Sequence, residues 1–302
     1  MARQTAPLSV KIFVKMRQII PAGQSVLRKP LSSLIGGGLS PTQAPAPTGF
    51  ELSPFMFIAR CFLAAVLIAA LTHAAAAENC PGNPAALGTA RVLPVAPGHY
   101  GKKHFPGTLA LKPREVVLTF DDGPSPATTA MVLKALAREC VKATFFLIGR
   151  NAAAHPDFVR RIAAEGHTVA HHSMTHPMTL ASISYGAAVD NIERGIKAVE
   201  KAAAPHKAAP FFRFPGFGSS PALLGYLDRK GYAVFGADLW ASDWNPMTPE
   251  YELSLVMARL EHTGGGIVLF HDTQGHTARM LPAFLRALKA GGFQVVHAVP
   301  AR

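Results

Sequence analysis

The sequence predicts an α/β fold, a distorted barrel of seven or eight parallel strands with helices packed outside it. Two observations carry that expectation. From Glu115 onward, short runs of β-forming apolar residues alternate with longer segments of helical spacing, and repeated strand–helix units assemble most simply into a parallel sheet. Five of the apolar runs also end in polar clusters. Val116–Phe120 meets Asp121-Asp122-Gly123-Pro124, and Thr168–Ala170 meets His171-His172-Ser173-Met174-Thr175-His176. Phe211-Phe212 precedes Arg213-Phe214-Pro215-Gly216, the Tyr232–Leu239 stretch precedes Asp243-Trp244, and Gly266–Phe270 ends in His271-Asp272. In barrels of parallel strands the chemistry gathers at the C-terminal strand ends, so the five clusters are expected on one rim.

In order, strands are expected at 116–120, 143–148, 167–170, 209–213, 232–237, 266–270 and 293–298. Between them, helical spacing of Ala, Leu and Val predicts helices near 127–139, 156–165, 180–203, 219–230, 249–262 and 277–290. Pro126, Pro156, Pro221, Pro249 and Pro282 fall at or near expected helix starts, where a missing N–H costs little. Residues 78–113 are rich in Pro and Gly and read as a lead-in draped over the barrel, with a short strand near Leu109–Leu111.

The 302 residues suffice for one large core, and 49% apolar composition excludes disorder for the bulk of the chain. Net charge is +12, and half of it comes from residues 1–77, where seven Lys/Arg meet one Glu. No basic run interleaved with aromatics follows, so nucleic acid is not an expected partner. Residues 53–77 read as a secretory signal: a short basic start ending at Arg60, an 11-residue apolar centre from Cys61 to Leu71, and small residues Ala74–Ala77 before Glu78. That centre is short of the roughly 20 residues a membrane span needs. Met56 is then an attractive true start. The reading divides the chain into 1–55, a disordered extension or an artefact of start-codon choice; 56–77, the signal; 78–113, the lead-in; and 114–302, the main domain. The expected location is extracytoplasmic, periplasmic or secreted, with no permanent membrane span after cleavage. Cys61 would leave with the signal, so Cys80 and Cys140 remain as a pair available for a disulfide, which spacing alone does not place within reach.

The polar clusters contain parts of a metal-dependent hydrolase. His172 and His176, four apart, would share one face of a helical turn, a recurring geometry for a divalent ion. Asp122 is the candidate third ligand, although His167 and His171 stand near enough to compete. Asp121 would then be free to take a proton as general base. His271, with an ordinary pKa near 6.5, could donate one, oriented by Asp243. Arg213 would steady Asp121 by charge.

These residues, taken together, closely resemble the NodB-type polysaccharide deacetylases, the fourth family of carbohydrate esterases. Thr119-Phe120-Asp121-Asp122-Gly123-Pro124 matches that family's first motif, and His172-Ser173-Met174-Thr175-His176 its second. Arg213-Phe214-Pro215-Gly216 is similar to the third, Asp243-Trp244 to the end of the fourth, and Leu269-Phe270-His271 to the fifth. The resemblance implies an exported amidase that removes acetyl from N-acetylated sugars of a polysaccharide, peptidoglycan or a chitin-like oligomer. It implies one divalent metal on Asp122, His172 and His176, zinc first, with cobalt or manganese as alternatives. It implies Asp121 as base supported by Arg213, and His271 as acid oriented by Asp243. Pro215, Gly216, Phe217, Trp244 and Leu269 would line the substrate site, with the Gly216 N–H toward the oxyanion. An O-acetyl esterase acting on a glycan such as acetylxylan, and a silent glycan-binding module, are the alternatives. Two places depart from the family pattern: Trp240 stands where the fourth motif usually begins with Asp, and Gly216 where many relatives carry an aromatic residue.

Overall fold

Every strand pair is parallel. A computed structural model of the chain describes residues 80–301; the extension and the signal-like segment lie outside the described residues. β1 (Thr89–Val95), β2 (Gly98–Tyr100), β3 (Glu115–Asp121), β4 (Thr144–Leu147), β5 (Thr168–His171), β6 (Phe211–Phe212), β7 (Ala233–Phe235), β8 (Leu239–Trp240), β9 (Gly266–His271) and β10 (Gln294–Pro300) form one ten-stranded sheet. The order β8-β9-β3-β4-β5-β6-β7 makes the curved wall that carries the polar clusters. β10 pairs with the first two residues of β3, below β4, and brings β1 with it; β2 extends the other end beside β7. Among the described residues no ladder joins β7 to β8. Gly236–Asp238 spans that seam, where the Asp238 N–H donates to the Ile267 carbonyl.

Helices α1 (Pro126–Arg138), α2 (Gly149–Ala154), α3 (Pro156–Ala164), α4 (Tyr185–Ala203), α5 (Pro221–Arg229), α6 (Pro249–Thr263) and α7 (Gly275–Ala290) follow the strands as crossovers. Pro126, Pro156, Pro221 and Pro249 each open a helix, as the pattern predicts. Pro282 does not: α7 begins at Gly275, so this proline lies inside the helix and removes one backbone donor there. The expected strand at Leu109–Leu111 is absent, and the lead-in instead forms β1 and β2 upstream. Helix α2 was not legible, because Gly149–Ala154 is too short to display a period. The helix expected from 180 starts at Tyr185, where Ser184 caps the Ala187 N–H.

The core has two faces. Val116, Leu118, Phe120, Phe145, Leu147 and Phe270 pack outward against helices, while Val117, Phe146, Ala170, Phe211, Phe235 and Ile267 fill the interior. Each fully buried Phe or Leu contributes roughly 1.5–3 kcal/mol. Cys80 and Cys140 are bonded, closing a 60-residue separation and tying the start of the described chain to the end of α1.

Candidate active site

Alternation along each strand decides which side chains enter the rim, because successive residues point to opposite faces. On β3 the inward parity of Val117 continues through Thr119 to Asp121. On β5 Ala170 faces inward, so His171 turns out and His172 turns in; Phe211 assigns the interior to Arg213, and Ile267 assigns it to Leu269 and His271. Registers Asp121↔His271 and Leu147↔His171 set these ends at one level.

Arg213 is fully buried and crosses the interior. Its Nη1 donates to Asp121 Oδ1 at 2.7 Å and to Thr119 Oγ1 at 2.8 Å, while Nη2 donates to the Gly236 carbonyl at 2.8 Å and Nε to that of Phe235 at 3.3 Å. A buried charge is tolerable only when paired and hydrogen-bonded in this way; breaking such a pair typically costs about 3–5 kcal/mol. Burial raises the Asp121 pKa against the opposing pull of Arg213 and His271.

Beside it, Asp122 Oδ1 lies 3.5 Å from His172 Nε2 and 3.3 Å from His176 Nε2. These separations are long for hydrogen bonds. They suit ligands sharing one ion: bonds of about 2.0–2.1 Å in tetrahedral array place donor atoms about 3.3–3.4 Å apart. Asp122 Oδ1 is buried and has no hydrogen-bond partner among the described residues, an orphan that a cation would satisfy. His172 Nδ1 donates to the Arg213 carbonyl at 2.7 Å, so the lone pair of Nε2 faces the cluster. Burial lowers the His172 pKa to about 3, keeping the ring neutral as a ligand must be. The residues therefore fit a divalent ion.

The route to this cluster differs from the helical turn expected. Residues 172–176 form a loop, with Ser173 at φ +63° and His176 at +58°, and Asp122 in the loop after β3 is at +76°. Such strained conformations collect where side chains must be aimed. Ser173 Oγ accepts the His176 N–H, and Asn191 Oδ1 accepts that of Met174. The competing histidines are elsewhere: His171 lies near Tyr232, and His167 Nδ1 accepts the Ala143 N–H.

Opposite the cluster, His271 Nδ1 donates to Asp243 Oδ1 at 2.8 Å, and the His271 N–H donates to Asp243 Oδ2 at 2.6 Å. His271 Nε2 faces the cluster, 4.0 Å from Asp122 Oδ2. Burial opposes the charged ring, but the hydrogen bond and charge of Asp243, with Asp121 and Asp122 nearby, lift the His271 pKa to about 9. Leu269 sits below His271 on the inner face, and the half-exposed Trp244 ring lies 6.1 Å from His271, nearly perpendicular to it. Pro215–Phe217 forms a 3-10 turn in which Gly216 takes φ +53° beside Met178. Phe217 stacks on His104 at 3.8 Å, a lead-in residue that no pattern in the sequence marks. Trp240, seen in the sequence as a departure, lies 6.0 Å from Trp244 and 6.4 Å from Phe217, so it extends the same aromatic surface. Thr277, whose Oγ1 lies 3.0 Å from Asp243 Oδ2, was also missed, since a lone Thr in a helix carries no signal.

The family model described as polysaccharide deacetylase matches residues 109–235. A chitooligosaccharide deacetylase of Rhizobium leguminosarum is 38% identical over 53% of this chain and 72% of its own length. One from Bradyrhizobium is 33% identical over 62% and 90%. This chain belongs to the polysaccharide deacetylase family. In fold, the deacetylase resembles a peptidoglycan deacetylase of Bdellovibrio bacteriovorus, with a TM-score of 0.61 and 33% identity, covering 68% of this chain and 56% of that one. The family match contains Asp121, Asp122, His172, His176 and Arg213 but ends before Asp243 and His271, which the tertiary structure brings to the same rim.

Proposed function

We propose that this deacetylase hydrolyses the acetamide of N-acetylated sugar residues in an extracytoplasmic polysaccharide, a chitin-like oligomer or peptidoglycan, releasing acetate. The observation that carries the reading is the placement of an Arg-held carboxylate and an Asp-held imidazole both within 4.0 Å of the Asp122–His172–His176 cluster. Those three residues would hold one divalent ion, zinc by the donor set, which when bound lowers the pKa of water from 15.7 toward about 7 and polarises a carbonyl.

Asp121, oriented through Oδ1 by Arg213, keeps Oδ2 toward the cluster, 3.6 Å from His172 Nε2, and takes a proton from the attacking water there. The new C–O bond makes a tetrahedral oxyanion, for which the Gly216 N–H is the backbone donor. His271 carries its proton at neutral pH and gives it from Nε2 to the departing nitrogen as the C–N bond breaks. Asp243 keeps Nδ1 protonated and the ring in place. Phe217, Trp244 and Leu269 provide apolar and aromatic surface for sugar and acetyl methyl, and Pro215 fixes the turn.

The Cys80–Cys140 bond supports export through the 56–77 signal, since such bonds persist in oxidising compartments. Among the described residues no helix is long and apolar enough to cross a membrane. The orphaned Asp122 oxygen and the paired acid–base groups favour catalysis over a silent glycan-binding module. Acetate release from N-acetylglucosamine oligomers, peptidoglycan and acetylxylan tests the reading, with wild type compared with Asp121→Asn. The expected result is a fall on the order of 10²–10⁴ for the variant on the N-acetylated substrates and loss of wild-type activity on chelation, restored by zinc. Equal rates in the two proteins would reject the base, and release from acetylxylan alone would assign the site to esters.

A further inference from the structure

A second acid lies behind the His271–Asp243 pair with no part in the reaction above. Glu252 on α6 is wholly buried, and its Oε1 lies 2.9 Å from Thr277 Oγ1. The same hydroxyl lies 3.0 Å from Asp243 Oδ2. A hydroxyl has one proton to give. With both carboxyls ionised, Thr277 could serve only one, and its oxygen would confront the other anion across hydrogen-bond distance with nothing between.

Asp243 is the ionised partner, because its two oxygens also accept from His271 Nδ1 and the His271 N–H. The charged or titratable groups facing Glu252 are Asp243, His271 and His276. His276 does not neutralise it: its Nε2 lies 3.0 Å from the Asp243 carbonyl, an acceptor, and so directs its hydrogen there, while Glu252 Oε2 stands 3.8 Å away without a hydrogen-bond partner. Burial first, then the charge of Asp243, pushes the Glu252 pKa up to about 7 against the Thr277 bond.

We infer that Glu252 is a positioning residue held as the neutral acid, its O–H donating to Thr277 Oγ1 while Thr277 donates to Asp243 Oδ2, so that the relay fixes the carboxylate behind His271. This relay deepens the proposed deacetylation, resting on His271 as its acid. Gln keeps the shape and can donate an N–H to Thr277; Leu cannot.

The test combines Glu252→Gln, Glu252→Leu, Thr277→Val and the Leu/Val double variant with two readouts. In kinetics on N-acetylglucosamine oligomers, Glu252→Gln should stay within about threefold of wild type. Glu252→Leu and Thr277→Val should each lose about tenfold or more in kcat at unchanged KM, as outer partners of a catalytic group typically do, and the double variant should be no worse than Thr277→Val. In infrared difference spectra, wild type minus Glu252→Gln should contain the carbonyl stretch of a protonated carboxyl. Equal damage from Gln and Leu, additive losses in the double variant, or absence of that band would each overturn the relay. If Glu252→Leu does not fold, the Gln and Val variants and the infrared band still decide. Wild type that releases no acetate would sink the deacetylase reading, while the infrared band would continue to test the relay.

Discussion

His172 and His271 occupy equivalent places at the ends of β5 and β9, and their surroundings drive them in opposite directions. Each turns inward, and burial disfavours its charged form. His172 has a backbone carbonyl as its Nδ1 acceptor, and its pKa falls to about 3; His271 has the Asp243 carboxylate, and its pKa rises to about 9. A neutral acceptor fixes a tautomer but supports charge too weakly to offset burial, whereas an anion fixes the tautomer and holds the proton. The comparison teaches that the atom behind each ring, more than its depth, separates the histidine proposed as a metal ligand from the one proposed as a proton donor.

Exchange of each ring for Asn is the sharpest way to break this contrast. His271→Asn should lower kcat on the order of 10²–10⁴ while metal content stays equimolar. His172→Asn should lose bound metal and activity together. Metal loss in both, measured by elemental analysis after gel filtration, would erase the distinction.

Asp243→Asn should move the His271 pKa from about 9 toward its ordinary 6.5 and pull the alkaline limb of the kcat profile down with it. The sign follows for stability. A raised folded-state pKa stabilises fully below about 6.5 and is lost as pH rises through about 9. The wild-type advantage over Asp243→Asn in denaturant titrations should therefore be largest below 6.5 and shrink toward 9. His172 runs the other way, its neutral burial costing stability as pH falls from 6.5 toward about 3.

Cys140→Ala tests whether the settings of the two histidines depend on the disulfide. Opening the link across 60 residues should cost about 2–5 kcal/mol, read as a lower Tm, while both histidine pKa values stay put. The smallest functional effect is expected from His171→Phe. That ring faces outward beside Tyr232 with its Nδ1 unpartnered, so metal content and acetate release should remain within about twofold. Loss of metal there would mean that strand parity had been assigned to the wrong histidine.

Much of this arrangement was legible in the residues. The strand–helix alternation, the helix-opening prolines at Pro126, Pro156, Pro221 and Pro249, and the strand-end placement of Asp121, Asp122, His172, Arg213 and His271 all follow from local pattern. Helix α2, strands β1 and β2, and the interior position of Pro282 did not, because short elements lack a period and a proline's local effect does not reveal how far upstream a helix begins. His104 and Trp240 were invisible as partners of Phe217, since contacts across the β7–β8 seam leave no mark on nearby sequence.

What the chain determined by itself was the inventory: acids, imidazoles and one arginine, each stationed where an apolar run stops. What only the tertiary structure decided was the facing. Both sides of these strands are buried, so no alternation of polar and apolar residues distinguishes inside from outside. Choosing His172 over His171, passing Arg213 through the interior to Asp121, and bringing Glu252 and Thr277 behind Asp243 required the sheet to curve and the helices to dock, because each depends on contacts between distant residues.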